Sequence, residues 1–413
     1  SALTLQASND ITVNSAITAN NPSGNGGHLT LQAGRSILVN AAITTDNGNL
    51  TLIGNDRTAN GVVNSQRDAG AAVITLAAAV NAGTGTVDIQ LRDGAGRINN
   101  TAGAISLDMV TAGKVSAVNS SASGGLTLND TVMTTGTGDA IVLASNGAFT
   151  NNAGSGALVA FGGRWLVYSS DPAAASFGNL NSGDRAIWNA SFSTLPPVSV
   201  TQTNNRYLFA YQPTLTFTST DLTKAYGDDA TGNLASAYTV SGLNAGIANA
   251  YLGDLLVTAV SGSASVSSTG ASAAASVAGS PHAITIAQGS LSASSGYALA
   301  FNSTGLLTVA PRAITVTASS GQGKVYGNVD PTLTYSVSGA GLIGGDTLSG
   351  SLGRAAGENV GNYAINQGTL ANPNYTVSFV GSNFGITPRA VTVSANAGQS
   401  KGYGDADPTL TYA

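Results

Sequence analysis

The sequence predicts an all-β protein, a right-handed parallel β-helix followed by tandem small β modules. Three observations carry this reading. Short strand-like segments recur in the first half: Leu3-Thr4-Leu5-Gln6-Ala7 returns as Leu29-Thr30-Leu31-Gln32-Ala33, and Ile11-Thr12-Val13-Asn14 returns as Ile37-Leu38-Val39-Asn40, each at an offset of 26. Gly, Asn and β-branched residues run throughout, which disfavours helix. A longer unit built on Lys-x-Tyr-Gly repeats in the second half.

The first-half triplets read apolar, polar, apolar. In a strand this sets the outer two side chains on one face and the middle one on the other. Each unit is too short to bury its own apolar face, and stacking removes that face from water. The pattern continues at Leu50-Thr51-Leu52 and Ile74-Thr75-Leu76, then more weakly at Val87-Asp88-Ile89, Ile105-Ser106-Leu107, Leu126-Thr127-Leu128 and Ile141-Val142-Leu143. Leu3, Leu29, Leu50 and Ile74 are therefore expected to form one interior column, with Leu5, Leu31, Leu52 and Leu76 as a second. Three short strands per turn, with Asn/Gly/Asp corners, give the helix, and the drifting later spacings read as corner loops of variable length. Residues 55–70, with Asp56, Arg57, Arg67 and Asp68, read as a longer loop thrown out from the stack. Residues 163–172 hold Trp165, one of two tryptophans, and Tyr168. They read as an end plate, large aromatics covering the raw apolar end of the coil.

In the second half, Lys224-Ala225-Tyr226-Gly227-Asp228, Lys324-Val325-Tyr326-Gly327-Asn328 and Lys401-Gly402-Tyr403-Gly404-Asp405 share one motif. Two copies continue as Asp330-Pro331-Thr332-Leu333-Thr334-Tyr335 and Asp407-Pro408-Thr409-Leu410-Thr411-Tyr412. Closing strands run into Pro311-Arg312 and Pro388-Arg389, and proline restrains the angle at each join. The expected organisation is a shaft over 1–211 with its cap from about 163, a first module over 212–311 with an insertion at 261–279, a second over 312–388, and the start of a third over 389–413. The chain is read as an interior piece of a longer protein.

Composition narrows function. Only 8% of the 413 residues are charged, the net charge is −5, and no Lys/Arg cluster exists, so the electrostatic footprint of nucleic-acid binding is missing. There is no cysteine, hence no disulfide framework or thiolate chemistry, which suits export in an unfolded state. No apolar run approaches the roughly 20 residues of a membrane span.

With these motifs in view, the Leu-Thr-Leu-Gln-Ala and Ile-x-Val-Asn-x-Ala-Ile-Thr repeats ending in Gly163-Arg164-Trp165-Leu166-Val167-Tyr168-Ser169 resemble the β-helical shaft of filamentous-haemagglutinin-type exoproteins. The Lys-x-Tyr-Gly units resemble the mostly-β, glycine-rich modules of MBG or YDG type. Together the resemblances cover nearly the whole chain; the family's N-terminal secretion-signal domain is not seen in these residues. The resemblance implies a secreted adhesin on the surface of a Gram-negative bacterium. It implies export through an outer-membrane two-partner-secretion transporter and a stalk or spacer role in cell–cell or cell–surface attachment and biofilm. Contact with host or bacterial surface glycans and self-association into filaments are further implications. No enzyme activity and no cofactor are expected.

The alternative is a carbohydrate-binding or polysaccharide-degrading β-helix. It would need clustered acids and bases on one face. Asp88 and Asp108 are the best carboxylates for that role, with Arg92 and Arg97 nearby, and they read as solvated or corner residues. His28 and His282 lack neighbours at metal-ligand spacing, so no metal site is expected. The Gly-rich stretch Gly24–Gly27 lacks the Lys-Ser/Thr of a phosphate loop. Thr4, Thr30, Thr51 and Thr75 form an outward column. An ice-binding face would want two adjacent threonine columns, but here the flanks are Leu and Ile. Tyr226, Tyr326 and Tyr403, each followed by Gly227, Gly327 or Gly404, are expected to pack within their own modules rather than stack on glycans.

Overall fold

A computed structural model describes residues 2–21, 24–57, 67–98 and 100–413. Residues 58–66 of the expected long loop lie outside the described residues. The chain divides into two compact units: 1–217 with 240–265 and 287–302, and 218–239 with 266–286 and 303–413.

The first unit contains a parallel β-helix of three ladders. The first stacks Ala2–Ala7, His28–Ala33, Leu50–Gly54, Thr86–Leu91 and Lys114–Asn119, then the later parts of Val132–Ser145 and Leu158–Ser169, then Arg206–Phe209. The second stacks Ile11–Val13, Ile37–Val39, Ala72–Leu76, Ala102–Leu107, Leu126–Leu128 and Phe149–Asn151. The third runs from Ile17–Thr18 through Ile43–Thr44, Val80–Asn81 and Val110–Ala112 into the early parts of the two long strands. Every neighbouring pair in these ladders is parallel.

Register fixes the interior. One column runs Leu3, Leu29, Leu50, Val87, Val115, Ile141, Trp165; beside it run Leu5, Leu31, Leu52, Ile89, Ala117, Leu143, Val167, Tyr207. From Leu29 and Leu31 onward these side chains are almost wholly buried, whereas Leu3 and Leu5 of the first rung are exposed. The alternation is what makes this possible: in Leu50–Gly54 the burial pattern switches with every residue.

The column assignment of Ile74 and Leu76 is corrected here. Ile74 lies in the second ladder between Ile37 and Ile105, and Leu76 pairs with Val39. The neighbours of Leu50 and Leu52 across the long loop are Val87 and Ile89. Both faces use the same apolar–polar–apolar triplet, and the loop after Leu50–Gly54 lengthened that turn so that the next ladder's strand fell near the expected distance. The irregular spacings of Val87, Ile105, Leu126 and Ile141 have the same origin, since Val87 and Ile141 lie in the first ladder and Ile105 and Leu126 in the second. The threonine column is likewise Thr4, Thr30, Thr51 and then Asp88 and Ser116, while Thr75 belongs to the other face.

Corners are closed by amides. Buried Asn119 donates from Nδ2 to the carbonyls of Gly103 (2.8 Å) and Gly125 (3.1 Å) and accepts from Ser121 at Oδ1. Asn151 repeats the device on the carbonyls of Gly154 and Phe177. Buried backbone carbonyls at a bend need a partner, and a short amide side chain supplies two donors. Amides also stack on the outer surface, where Gln6 donates to Gln32 and Asn40 to Asn14.

The coil does not stop at Trp165. Trp165 ends its own column, but Arg206–Phe209 adds a further rung beside it. Tyr207 lies edge-on to Trp165 at 5.0 Å and to Phe177 at 5.0 Å, and Phe209 stacks on Trp188 at 5.5 Å. Tyr168 faces the other way. Its hydroxyl donates to the Leu195 carbonyl at 2.9 Å, and Val142, Leu166 and Leu208 join it under Ala190 and Val200 on the outer face of the last rungs. Burial pushes the Tyr168 and Tyr207 hydroxyls up in pKa.

The second unit is built from small sheets. Arg312–Ala318 pairs antiparallel with Tyr335–Gly339 and parallel with Tyr375–Val380. Gly323–Val325, Asn383–Thr387 and Gly361–Asn366 form a sheet beside it. One core joins Ile314, Val316, Ile365, Phe384 and Ile386.

The register predicts opposite outcomes for adjacent residues on one strand. Leu31→Ala should lower unfolding free energy by about 2–5 kcal/mol, while Thr30→Ala should stay within about 0.5 kcal/mol, as read by urea denaturation followed by circular dichroism. Equal effects would mean that the strand faces are misassigned.

Candidate interaction site at the aromatic junctions

The Lys-x-Tyr-Gly motif places a tyrosine on a tight turn. Gly227, Gly327 and Gly404 each have φ +88°, in the left-handed region where a Cβ is strained. The preceding lysine anchors the turn. Lys224 is buried and donates from Nζ to the carbonyls of Asp228 (2.9 Å) and Ser272. Its burial lowers the amine's pKa, against the pull of Asp229 and Asp228. In the second copy, carboxylates take the place of these carbonyls. Lys324 pairs with Asp330 (2.8 Å) and with Glu358, and Arg354 bridges the same two acids at 2.6 and 2.8 Å. The Arg354 guanidinium also lies over the rings of Tyr363 and Phe384. Arg354 and Lys324 together pull the Asp330 carboxyl down to about 2. In the third copy Lys401 reaches Asp407 and the Asp405 carbonyl.

Tyr226 does not pack inside its own module. Its ring meets Tyr375 edge-on at 5.5 Å, and the interaction of its hydroxyl with Asp346 holds its pKa above the ordinary value. Tyr375 donates to Asp346 Oδ2 at 2.7 Å and accepts from the Ile343 amide at 2.8 Å. Beside them, a Cβ on Gly227 would stand 2.7 Å from the Ile343 side chain. Arg312 closes the contact. It donates to the Tyr226 carbonyl and Asp228 Oδ1 through Nη1, each at 3.3 Å, and to the Ala340 carbonyl through Nη2 at 3.0 Å. A turn at a strand end points its aromatic away from its own sheet, so the ring is buried by residues of the next module along the chain.

The same arrangement stands in the first unit with Trp188 in the place of Tyr226. Trp188 Nε1 donates to Asp254 Oδ2 at 2.7 Å; Tyr297 donates to that oxygen at 2.6 Å and accepts from the Asn244 amide at 2.9 Å. Trp188 and Tyr297 meet edge-on at 6.3 Å. The Trp188 site was not found by motif, since it belongs to no repeat; the second tryptophan was its only signal.

Tyr326 and Tyr403 are 47% and 110% exposed, against 8% for Tyr226. The start of the third copy nonetheless repeats local bonding of the second. Gln399 bonds Asn396 and Thr411 as Gln322 bonds Ser319 and Thr334.

The chemistry candidates have local partners of their own. Asp88 is on the first ladder, accepting from Gln90, and Asp108 follows a strand of the second. Arg92 pairs with buried Asp56, and Arg97 donates to the Arg57 carbonyl. His28 accepts from the Asn49 amide, and His282 bonds Thr269. Among the described residues no group of three or more His, Cys, Asp or Glu could hold a metal.

With this geometry in place, one comparison identifies a module. Residues 314–385 match the MBG domain (YGX type). This MBG module carries the Asp346–Tyr375 pair and the Tyr326 turn. No curated protein and no solved structure matches the chain.

Two junction groups lend themselves to measurement. Asp330 has a depressed folded pKa, so its contribution is full above the ordinary value of 3.8 and is lost as pH falls through about 2. Melting of the MBG module should therefore shift downward across that window, and Asp330→Asn should flatten the shift. Trp188→Phe keeps an aromatic ring but removes one donor to a carboxylate and leaves space where the indole was buried, and should cost at least about 1.5–3 kcal/mol in denaturation of the first unit. A neutral Trp188→Phe would mean that Asp254 needs no second donor.

Proposed function

We propose that this chain is a stalk segment of a secreted bacterial surface adhesin. One observation carries the reading: a parallel β-helix and an MBG module occur in one chain. The supporting physics is mechanical. In the β-helix each rung is hydrogen-bonded to its neighbours along the stack, so the element resists bending without needing a large core. In the second unit the aromatic junction ties one module to the next in place of a continuous ladder. The resemblance to filamentous-haemagglutinin-type exoproteins adds export by two-partner secretion from a Gram-negative cell, through an outer-membrane transporter, and a role in attachment and biofilm. Surface glycans and other copies of the chain are the proposed partners. The role requires no catalysis.

A spacer assay tests this. The chain is placed between a surface anchor and a small antigen-binding tip, on beads coated with a polymer brush. Capture of antigen-bearing cells should exceed that of a Gly/Ser linker with the same number of residues by about tenfold, because the flexible linker's reach grows only as the square root of length. Equal capture would remove the stalk reading. Release of oligosaccharides from plant or bacterial polysaccharides by the chain would overturn it in favour of an enzyme.

A further inference from the structure

The Lys-x-Tyr-Gly turn presents the same backbone three times in the second unit, and the first two copies have different surroundings. Gly227 and Gly327 share φ +88°, and both tyrosines follow an anchored lysine. Around Gly227, a Cβ would meet Ile343 and Arg312; around Gly327, only Arg389 lies within 4 Å. Arg389 already makes one half of the clamp, donating to Asn328 Oδ1 at 3.5 Å as Arg312 does to Asp228. The other half, the Arg312 bond to the Ala340 carbonyl, belongs to the module that receives Tyr226. Tyr326, Val325 and Val329 form an exposed apolar patch at this turn, with Val329 90% exposed.

We infer that the face around Tyr326 is a docking surface for a further β module of the same kind, which would receive the Tyr326 ring between a tyrosine and an aspartate as Tyr375 and Asp346 receive Tyr226. The occupant is defined by its chemistry. It offers a tyrosine hydroxyl already bound to a carboxylate, leaving one carboxylate position for a donor from the incoming aromatic. Trp188 on Asp254 and Tyr297 shows that such a pair also takes an aromatic N–H. A partly buried carboxylate with two donors is better satisfied than with one, and the edge-to-face ring contact adds to it. This inference rests on the repeated junction and holds whether or not the chain is a stalk.

Acrylamide quenching of an engineered indole tests it. In the 413-residue chain, the Tyr326→Trp indole should be quenched freely and the Tyr226→Trp indole shielded. A second copy of residues 312–388 is then appended after Pro388 in place of 389–413, and its folding is read from the added calorimetric unfolding enthalpy. The quenching of the Tyr326→Trp indole should fall to that of Tyr226→Trp, a drop of about threefold or more. Asp346→Asn in the appended copy should recover part of the loss. A folded copy that leaves the indole open would overturn the proposal. So would a Tyr226→Trp indole as open as that of Tyr326→Trp, since the docked template would then be absent; this arm decides even if the appended copy fails to fold. Shielding by added oligosaccharides but not by the appended copy would assign the face to sugars instead and sink the module reading.

Discussion

Stacking short strands solves the burial problem along the stack and leaves it unsolved at the ends. Each rung of the β-helix is covered by the rungs on either side, so Leu31, Leu52 and Ile89 are fully buried although no rung could hold a core alone. A last rung has no successor. The rest of the structure depends on how that apolar, hydrogen-bond-hungry end is closed.

In the first unit closure comes at the last rungs. The interior columns hold aliphatic residues along their length and end in Trp165 and, beside it, Tyr207. The outer face changes in step. The column that begins with Thr4, Thr30 and Thr51 reaches Val142 and Leu166, which lie under Ala190 and Val200, before its last member Arg206. Around the last rung, Phe177 and Trp188 each meet Tyr251 edge to face, Phe177 is also edge-on to Phe209, and Phe209 stacks on Trp188, an arrangement that fills space while letting each polar edge find a partner. Trp188 and Tyr297 spend theirs on Asp254.

The second unit applies one rule again. An aromatic donor leaves its own sheet on a glycine turn and is received by a tyrosine–aspartate pair further along the chain. An arginine placed just after a proline ties the two sides, as Arg312 does at Tyr226. Charge is sparse in this protein, and much of it is invested at such joints rather than in surface patches: Arg312 with Asp228, and Arg354 and Lys324 with Asp330 and Glu358. This use of ions to hold turns accounts for a surface whose remaining polarity is hydroxyl and amide.

The sequence by itself determined the local alternation. Leu29-Thr30-Leu31 can be read as a strand with two buried residues and one exposed, because the side-chain period of a strand is fixed by covalent geometry. It also determined the parallel stacking of identical segments and the tight turns at Gly227 and Gly327, where φ is positive. Only the tertiary structure decided which ladder a triplet joins. Ile74-Thr75-Leu76 carries the same pattern as Leu50-Thr51-Leu52, and what separates them is where the corners bend. Only the tertiary structure decided the partners of Trp188 and Tyr226 as well. Asp254, Asp346 and Tyr375 carry no local mark of that role. A hydrogen bond between residues far apart in the chain depends on the path of everything between them, and no short-range pattern in the sequence records that path.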